Sequence, residues 1–276
     1  MDNITRIKNL KEPAYKELFG ISKPTFDAAL AVLEREYAQL HKKGGRPSRL
    51  TVLDKWIATL SYCHDYRTMV NIAFDYDVSK SRISDAVRWV EQTLVKDGSF
   101  SLPSKRELVK DDTEIIVVIA DVTERPTERP KKKQKKLYSG KKKQHTIKDL
   151  IIIDGMTGRI ICVYEDKGSV HDFEMYKRSK VHINDVITLF ADKGFQGVAD
   201  LHWNSLTPFK KPKGGSLTDE QKKTNRWISR FRILIENVNR LIKRFKMFSY
   251  RYRSKQMKHL MRLMLVCGLI NCELGF

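Results

Sequence analysis

The sequence is short of cysteine, of long apolar runs and of acidic residues, and each shortage excludes a class of protein. Its four cysteines form neither a CxxC pair nor a Cys/His set with zinc-site spacing, so we expect reduced and mostly buried thiols. The longest clean apolar runs, Ile115–Ala120 and Leu150–Ile153, are far below the ~20 residues that a membrane-spanning helix needs. The basic N-terminus lacks an apolar signal segment, which favours a cytoplasmic protein.

The shortage of acidic residues leaves a large excess of positive charge. With 53 Lys and Arg against 33 Asp and Glu, the formal net charge is +20. Such an excess favours a polyanionic partner, either nucleic acid or an anionic membrane surface, and composition alone does not choose between them. The chain has 276 residues and is 41% hydrophobic, so it can bury a core and suits one compact catalytic domain with a smaller module.

Two turn-rich breaks divide the chain. Apolar residues at spacings of three and four predict helices over residues 14–95, with one break at residues 42–49 (KKGGRPSR), a basic segment that is itself a candidate phosphate contact. The second break, at residues 97–112, precedes the first β-type run. We therefore predict a helical domain at residues 1–100 and a second domain at residues 101–276.

The second domain is predicted to be an α/β domain with a mixed sheet. Three strands joined by short turns come first, and strands alternating with helices follow, an order that favours a sheet with helices packed on it. The predicted strands are 114–121, 144–154, 159–165, 186–191 and 206–209, and the predicted helices are 173–178, 219–246 and 254–273.

Residues 66–94 have the layout of a helix-turn-helix, which makes the all-α first domain a candidate DNA-binding module. Ser79 is placed to cap the second helix, and the residues after it lie where recognition helices present side chains to the major groove. The candidate DNA contacts there are Lys80, Ser81 and Arg82. An ordinary helical hairpin with a solvated basic face fits the same pattern.

Two aspartates follow buried β-type runs in the second domain. Asp121 ends the run EIIVVIAD, and Asp192 ends the run VITLFAD. If the two strands are parallel neighbours, the carboxylates converge at one edge of the sheet, which is the geometry of a metal site. Each aspartate taken alone is more simply explained as a turn or cap residue.

The third candidate acid is Glu236, on a predicted helix. It lies off the buried stripe of that helix, with Arg232 and Arg240 four residues away on either side. A surface glutamate paired with these arginines is the simpler interpretation of Glu236 alone. Three carboxylates brought together would repel one another, so the set makes physical sense as a centre for two metal ions, Mg²⁺ or alternatively Mn²⁺.

A lysine-rich stretch follows Asp121. Lysines beside the acids would attract the DNA backbone, while the carboxylates hold the metals that cut it. The alternative is a mobile hairpin that adds only solubility. The candidate DNA contacts are Lys131, Lys132, Lys133, Lys141, Lys142 and Lys143.

Five motifs follow one another in the second domain, namely IADVTERP around Asp121, YSGKKKQHTIK at 138–148, GSVHDFEMY at 168–176, ADKGFQG at 191–197 and RILIENVNRLIKRF from Arg232. In this order they resemble the motifs of the bacterial insertion-sequence transposases of the DDE class, especially the IS-five-like group and its Harbinger-like eukaryotic relatives. The resemblance covers nearly the whole chain. It departs in the doubled TERP unit after Asp121, where the family pattern has a single turn.

The resemblance implies an RNase H-like catalytic domain, preceded by a helical module that binds terminal inverted repeats. Asp121, Asp192 and Glu236 match the three catalytic, metal-binding acids of the family. Residues near these acids are candidate phosphate contacts, namely Lys193, Arg240, Lys243 and Arg244. Four more motif residues have roles that stay open, namely His145, Lys148, His171 and Asp172.

The expected function is that of a DNA transposase acting on bacterial nucleoid DNA. Water attacks the phosphodiester at the ends of the element in a metal-dependent step, and the freed 3′ hydroxyl then attacks target DNA. Because two ends must be joined coordinately, we expect a homodimer on DNA. The alternatives are a DNA-binding regulator or host-adopted derivative, and a metal-dependent nuclease without strand transfer.

Overall fold

The computed structural model describes residues 3–46, 48–132, 134–253 and 258–276. The chain divides into two compact units. The helical unit comprises Met1–Ser101, Ile242–Tyr250 and Leu265–Phe276, and the sheet unit comprises Leu102–Leu241 and Arg251–Met264. The sequence predicted a single division at residue 100. The structure adds two later segments, Ile242–Tyr250 and Leu265–Phe276, to the helical unit, and the helices that lead into them begin in the sheet unit.

The N-terminal stretch of the helical unit is helical, as predicted, and residues 42–49 contain no helix where they are described. Side-chain caps explain where two of these helices begin. Thr51 and Asp54 form a reciprocal capping box, and Ser79 Oγ accepts the N–H of Arg82, which is the predicted cap. The helices are α1 (Asn3–Lys8), α2 (Glu12–Phe19), α3 (Lys23–Leu40), α4 (Val52–Cys63), α5 (Met69–Asp75) and α6 (Lys80–Asp97).

Helices α5 and α6 form the helix-turn-helix arrangement. The N–H of Val78 bonds the carbonyl of Ala73 at 3.0 Å, which closes the turn between the two helices. The buried stripe of α6 includes Ile83, Val87 and Val90, at helical spacing. Lys80, Ser81 and Arg82, the first residues of α6, lie off this stripe and are exposed to solvent.

The sheet unit alternates strands and helices. Its strands are β1 (Val117–Pro126), β2 (Tyr138–Ser139), β3 (Gln144–Asp154), β4 (Ile160–Lys167), β5 (Thr188–Ala191) and β6 (Ser205–Leu206). Its helices are α7 (Asp172–Ser179), most of α8 (Asp219–Arg244) and the start of α9 (His259–Glu273). Residues 254–257, where the last predicted helix begins, lie outside the described residues.

The pairing of these strands gives an RNase H-like sheet, as expected. β1, β3 and β4 are antiparallel neighbours, whereas β5 is parallel to β1 and β6 is parallel to β5. The main sheet order is therefore β4-β3-β1-β5-β6, with β2 paired to β3. A core that includes Val118, Ile152, Met175 and Leu189 fills the space between one face of this sheet and α7.

The first strand differs from its prediction. It was expected to end at Asp121, but it continues to Pro126, paired with β3 as far as Thr146. Thr123 and Arg125 are buried in this extension. The polar TERP residues thus form a strand because their side chains have partners inside the protein, which composition does not reveal.

The C-terminal segment Leu265–Phe276 is held in the helical unit by close packing and hydrogen bonds. One Glu273 carboxylate oxygen accepts the Ser22 N–H at 2.8 Å and the hydroxyls of Ser22 and Thr25 at 2.5 Å each. Gly268 lies against the backbone of Phe100, where a Cβ would be 1.7 Å from the carbonyl oxygen. Only glycine allows this approach.

In the described ranges, no helix combines the length and the apolar character that crossing a bilayer requires.

We expect Gly268→Ala to destabilise the protein by about 3 kcal/mol, because the added methyl collides with a backbone atom that cannot rotate away. Urea unfolding measures the change. Gly140→Ala is the matched control, since a Cβ there would have no heavy atom within 4 Å. Equal stability of the two variants would contradict the packing described here.

Candidate active site

The parallel pairing of β1 with β5 brings two predicted site residues together. The last paired residues are Ala120 and Ala191, so Asp121 and Asp192 follow at the same edge. Burial, and then the negative charge of Asp192, raise the pKa of Asp121 above its usual value. The convergence anticipated from the sequence is therefore present, although β1 itself runs on past Asp121.

Asp192 is oriented by the loop after β5. Its Oδ1 accepts the backbone N–H of Gly194 at 2.6 Å, and this bond caps a short 3₁₀ turn at Lys193–Phe195. Lys193 is exposed on that turn, while Phe195 is fully buried. The buried phenylalanine anchors the loop, which leaves the carboxylate at the sheet edge.

Asp121 has a partner that the sequence did not predict. Asn239 Nδ2 on α8 donates to Asp121 Oδ2 at 2.8 Å. The positive charge of Arg232, also on α8, lowers the pKa of Asp121 and opposes the effect of burial. Asn239 follows Glu236 by three residues on the same helix, and that spacing was the available signal.

Glu236 occupies a different position from the two aspartates. Its side chain is 62% exposed and pairs with Arg232 at 3.7 Å, as the simpler interpretation of the sequence anticipated. In the described ranges it forms no hydrogen bond with Asp121 or Asp192, so its catalytic role stays a prediction. Arg232 nevertheless links the two groups, because it acts on both Glu236 and Asp121.

Two of the motif residues with open roles meet beside Asp192. Lys148 Nζ donates to Asp172 Oδ1 and to the Val170 carbonyl, each at 2.7 Å. The other oxygen of Asp172 and Oδ1 of Asp192 lie 2.6 Å and 2.9 Å from where a Cβ on Gly194 would sit. The structure thus places a fourth carboxylate, held by a lysine, next to Asp192.

The remaining motif residues and basic residues lie at the surface. His171 is exposed at the start of α7, and the His145 ring lies edge-on to Tyr138, with centroids 5.7 Å apart. Arg244 donates to the Gly20 carbonyl within the helical unit. Lys133 lies outside the described residues. All predicted DNA contacts in the described ranges are exposed, namely Lys80, Ser81, Arg82, Lys131, Lys132, Lys141, Lys142, Lys143, Lys193, Arg240, Lys243 and Arg244.

The donor set around Asp121 fits a divalent cation. Asp121 and Asp192 offer carboxylate oxygens, which Mg²⁺ and Mn²⁺ prefer. Asn239 Oδ1 is buried and has no hydrogen-bond partner among the described residues. A cation would relieve the repulsion between the aspartates, and a buried amide oxygen beside them is a further hard donor.

A second group of possible ligands lies deeper in the sheet unit. Asp149, Glu165 and His259 each offer one ligand atom within 4.8 Å of the others, so the group could hold a metal ion. Arg125 already pairs with Asp149, and the His259 ring already bonds Glu165. These contacts make a buried charge network in which Arg125 supplies the cation. Sequence reasoning missed it, since no local spacing joins these residues.

Burial shifts the proton equilibria of this network. It raises the pKa of Glu165 to about 7, against the lowering effect of Arg125, and it lowers the pKa of His259 to about 4. Both shifts favour the neutral forms, a carboxylic acid and a neutral imidazole sharing a hydrogen bond.

The sheet topology and the paired aspartates define the class of protein. Residues 120–271 match the DDE superfamily endonuclease family over more than half of the chain, and the chain belongs to that family. It is 39% identical to the probable transposase for insertion sequence element IS702 of Microchaete diplosiphon. The 272 aligned residues cover 99% of this chain and 98% of that protein.

Two solved structures are more distant matches. The pre-cleavage Mos1 transpososome is 13% identical with a TM-score of 0.23, and the Mos1 mariner paired end complex with Mn is 12% identical with a TM-score of 0.21. Each match covers 74% of this chain and 79% of the other.

We expect Gly194→Ala to weaken Mn²⁺ binding by roughly 10-fold or more, because the new methyl pushes Asp172 and Asp192 out of position. Titration of Mn²⁺ by electron paramagnetic resonance measures the affinity, with Gly140→Ala as the control. Unchanged binding in Gly194→Ala, or no binding by the wild type, would contradict a metal site at this edge.

The raised pKa of Glu165 predicts a pH-dependent contribution to stability. A carboxyl that keeps its proton up to about pH 7 when folded contributes stability that is full below about pH 4.5 and is lost as pH rises through 7. Glu165→Gln keeps a neutral partner for His259 and removes this loss. Its free energy of unfolding relative to wild type should rise by about 1–3 kcal/mol from pH 5 to pH 8.

Chemical unfolding at the two pH values tests this expectation. The lowered pKa of His259 contributes to both proteins, so its effect cancels when the free energy of unfolding of the wild type is subtracted from that of Glu165→Gln. Glu128→Gln is the control, because Glu128 is exposed. If the difference in unfolding free energy between Glu165→Gln and wild type is the same at both pH values, the raised pKa of Glu165 is contradicted.

Proposed function

We propose that this chain is the transposase of an insertion sequence, of the IS-five-like and Harbinger-like group, acting on nucleoid DNA in bacteria. The observation that carries the proposal is the convergence of Asp121 and Asp192 at the edge of an RNase H-like sheet. Membership of the DDE superfamily endonucleases and 39% identity to a probable insertion-sequence transposase support it.

The proposed catalytic roles rest on the convergence of the two aspartates and, for Glu236, on its match to the third acid of the family motif. Asp121, Asp192 and Glu236 would hold Mg²⁺, or alternatively Mn²⁺, with Asn239 supporting Asp121. When bound, the metal ions would lower the pKa of the attacking water and stabilise the leaving oxygen. Arg232 acts electrostatically on both Asp121 and Glu236.

DNA would be held by the exposed basic residues of each unit. In the helical unit, the first turn of α6 presents Lys80, Ser81 and Arg82 to the terminal inverted repeats. In the sheet unit, the lysines between β1 and β3, together with Lys193 and the basic face of α8, would contact the phosphates of the cleaved strand and of target DNA. Joining two ends in one reaction requires two active sites, so the working form is a homodimer on DNA.

One observation favours an alternative function. Glu236 pairs with Arg232, an arrangement that a DNA-binding derivative without cleavage activity would also show. A metal-dependent nuclease that cuts but does not join is the other alternative. The same experiment separates all three functions.

We expect Asp192→Asn and Glu236→Gln each to reduce cleavage by roughly a thousand-fold or more, since each removes a ligand of the metals. DNA affinity should stay within about 2-fold, because no phosphate contact is lost. The assay uses duplex DNA that carries the flanks of the gene with Mg²⁺, and it follows both cut and joined products.

Asp200→Asn is the matched control, because Asp200 is exposed on the same loop, eight residues after Asp192. Cutting without joining would indicate a nuclease. Binding without cutting by the wild type would indicate the DNA-binding derivative, and full activity of Glu236→Gln would remove Glu236 from the catalytic set.

A further inference from the structure

A cleft of about 920 Å³ opens beside the start of α6, wholly within the helical unit. Its walls are the end of α3, the end of the KKGGRPSR segment with Leu50, one side of α4, and the first turns of α6 with the two residues before them. The basic side chains that line it are His41, Arg46, Arg49, Lys55 and Arg82. The acidic residue of the lining is Asp85, which pairs with Arg88 at 3.5 Å.

Three of these cations lack a carboxylate partner. Arg49 pairs with Asp77 at 2.5 Å, but in the part of the chain that the structure describes, Arg46, Lys55 and Arg82 have no ion pair. Arg46 and Arg82 are exposed, and water can solvate them. Lys55 is half-buried, so it depends on what the cleft provides.

Lys55 is held by aromatic rings instead of an acid. Its Nζ lies 4.6 Å from the ring centroid of Tyr37 and 4.8 Å from that of Trp89. Tyr37 is itself stacked on His41, with the ring centroids 4.0 Å apart. Burial lowers the pKa of Lys55, and cation–π contacts offset only part of the cost of burying a charge. A bound anion would supply the missing counter-charge.

We propose that this cleft binds the sugar–phosphate backbone of duplex DNA, with Lys55 as its central phosphate contact. The proposal rests on the proposed function and adds to it a second contact region of the helical unit. Arg82 belongs both to the cleft lining and to the exposed first turn of α6, so backbone bound in the cleft adjoins the bases that α6 faces.

The form of the cleft favours a chain of phosphates over a single free anion. Ser79 and Val78 line it, so the amino end of the 18-residue helix α6 contributes its partial positive charge. Its volume is several times that of one phosphate group, which leaves room for the adjoining sugars. The basic segment 42–49, singled out in the sequence as a candidate phosphate contact, supplies Arg46 to the same wall.

The test replaces Lys55 by methionine in the full chain, which keeps most of the unbranched side chain and removes the charge. We expect affinity for duplex DNA to fall roughly 5- to 20-fold near 0.15 M salt, by the same factor for the element's flanks and for an unrelated duplex. The slope of log affinity against log salt should decrease in magnitude by about 0.9, the value for one phosphate contact. The melting temperature without DNA should stay the same or rise, because a poorly solvated charge is gone.

Lys96→Met is the matched control, since Lys96 is exposed on α6 of the same unit and pairs with Glu36 at 3.6 Å. If Lys55→Met binds DNA like Lys96→Met while the wild type binds with a steep salt dependence, the cleft assignment fails and the proposed function stands. If the wild type binds neither duplex, both fail. A lower melting temperature that accompanies the loss of binding would make Lys55 a structural residue and overturn the proposal.

Adding inorganic phosphate at constant ionic strength distinguishes a DNA backbone phosphate from a free phosphate ion as the ligand of the cleft. The expected result is no change of the wild-type melting temperature at millimolar phosphate, because one ion does not span the cleft. Stabilisation by phosphate that Lys55→Met abolishes, combined with unchanged DNA affinity of that variant, would show a site for a free anion and overturn the proposal.

Discussion

The parallel pairing of β1 with β5 is the constraint on which the candidate site depends. Four residue pairs, ending at Ala120 and Ala191, bring two aspartates to one edge at the cost of mutual repulsion. Hydrophobic burial on the faces of both strands stabilises that pairing. The fold thus holds the two charges together, and their repulsion makes the edge a favourable place for a cation.

The protein moderates that repulsion with α8. Asn239 bonds Asp121, and Arg232 places a positive charge within range of both Asp121 and Glu236. The helix also carries exposed basic residues on the turns that follow. One helix therefore supplies neutralising contacts to the acids and candidate contacts to phosphate, which explains why its sequence mixes both charges on one side.

Much of the architecture could be predicted because it follows local rules. The strand Gln144–Asp154 was predicted with the bounds that the structure shows, since the segment is bounded by the basic loop before it and a glycine-containing turn after it. The Ser79 cap and the stripe of α6 are equally local. The extension of β1 past Asp121 was missed, because TERP has the composition of a turn and becomes a strand only when Arg125 finds its buried acid.

The sequence by itself determined the helical and α/β parts, the two strand-following aspartates and the excess of positive charge, because these depend on residue type and short spacing. Only the tertiary structure decided what meets across long separations. Asp149 joins His259, Asn239 joins Asp121, and the Lys148–Asp172 pair comes to lie beside Asp192. Such contacts depend on strand order and helix packing, which a one-dimensional pattern does not encode.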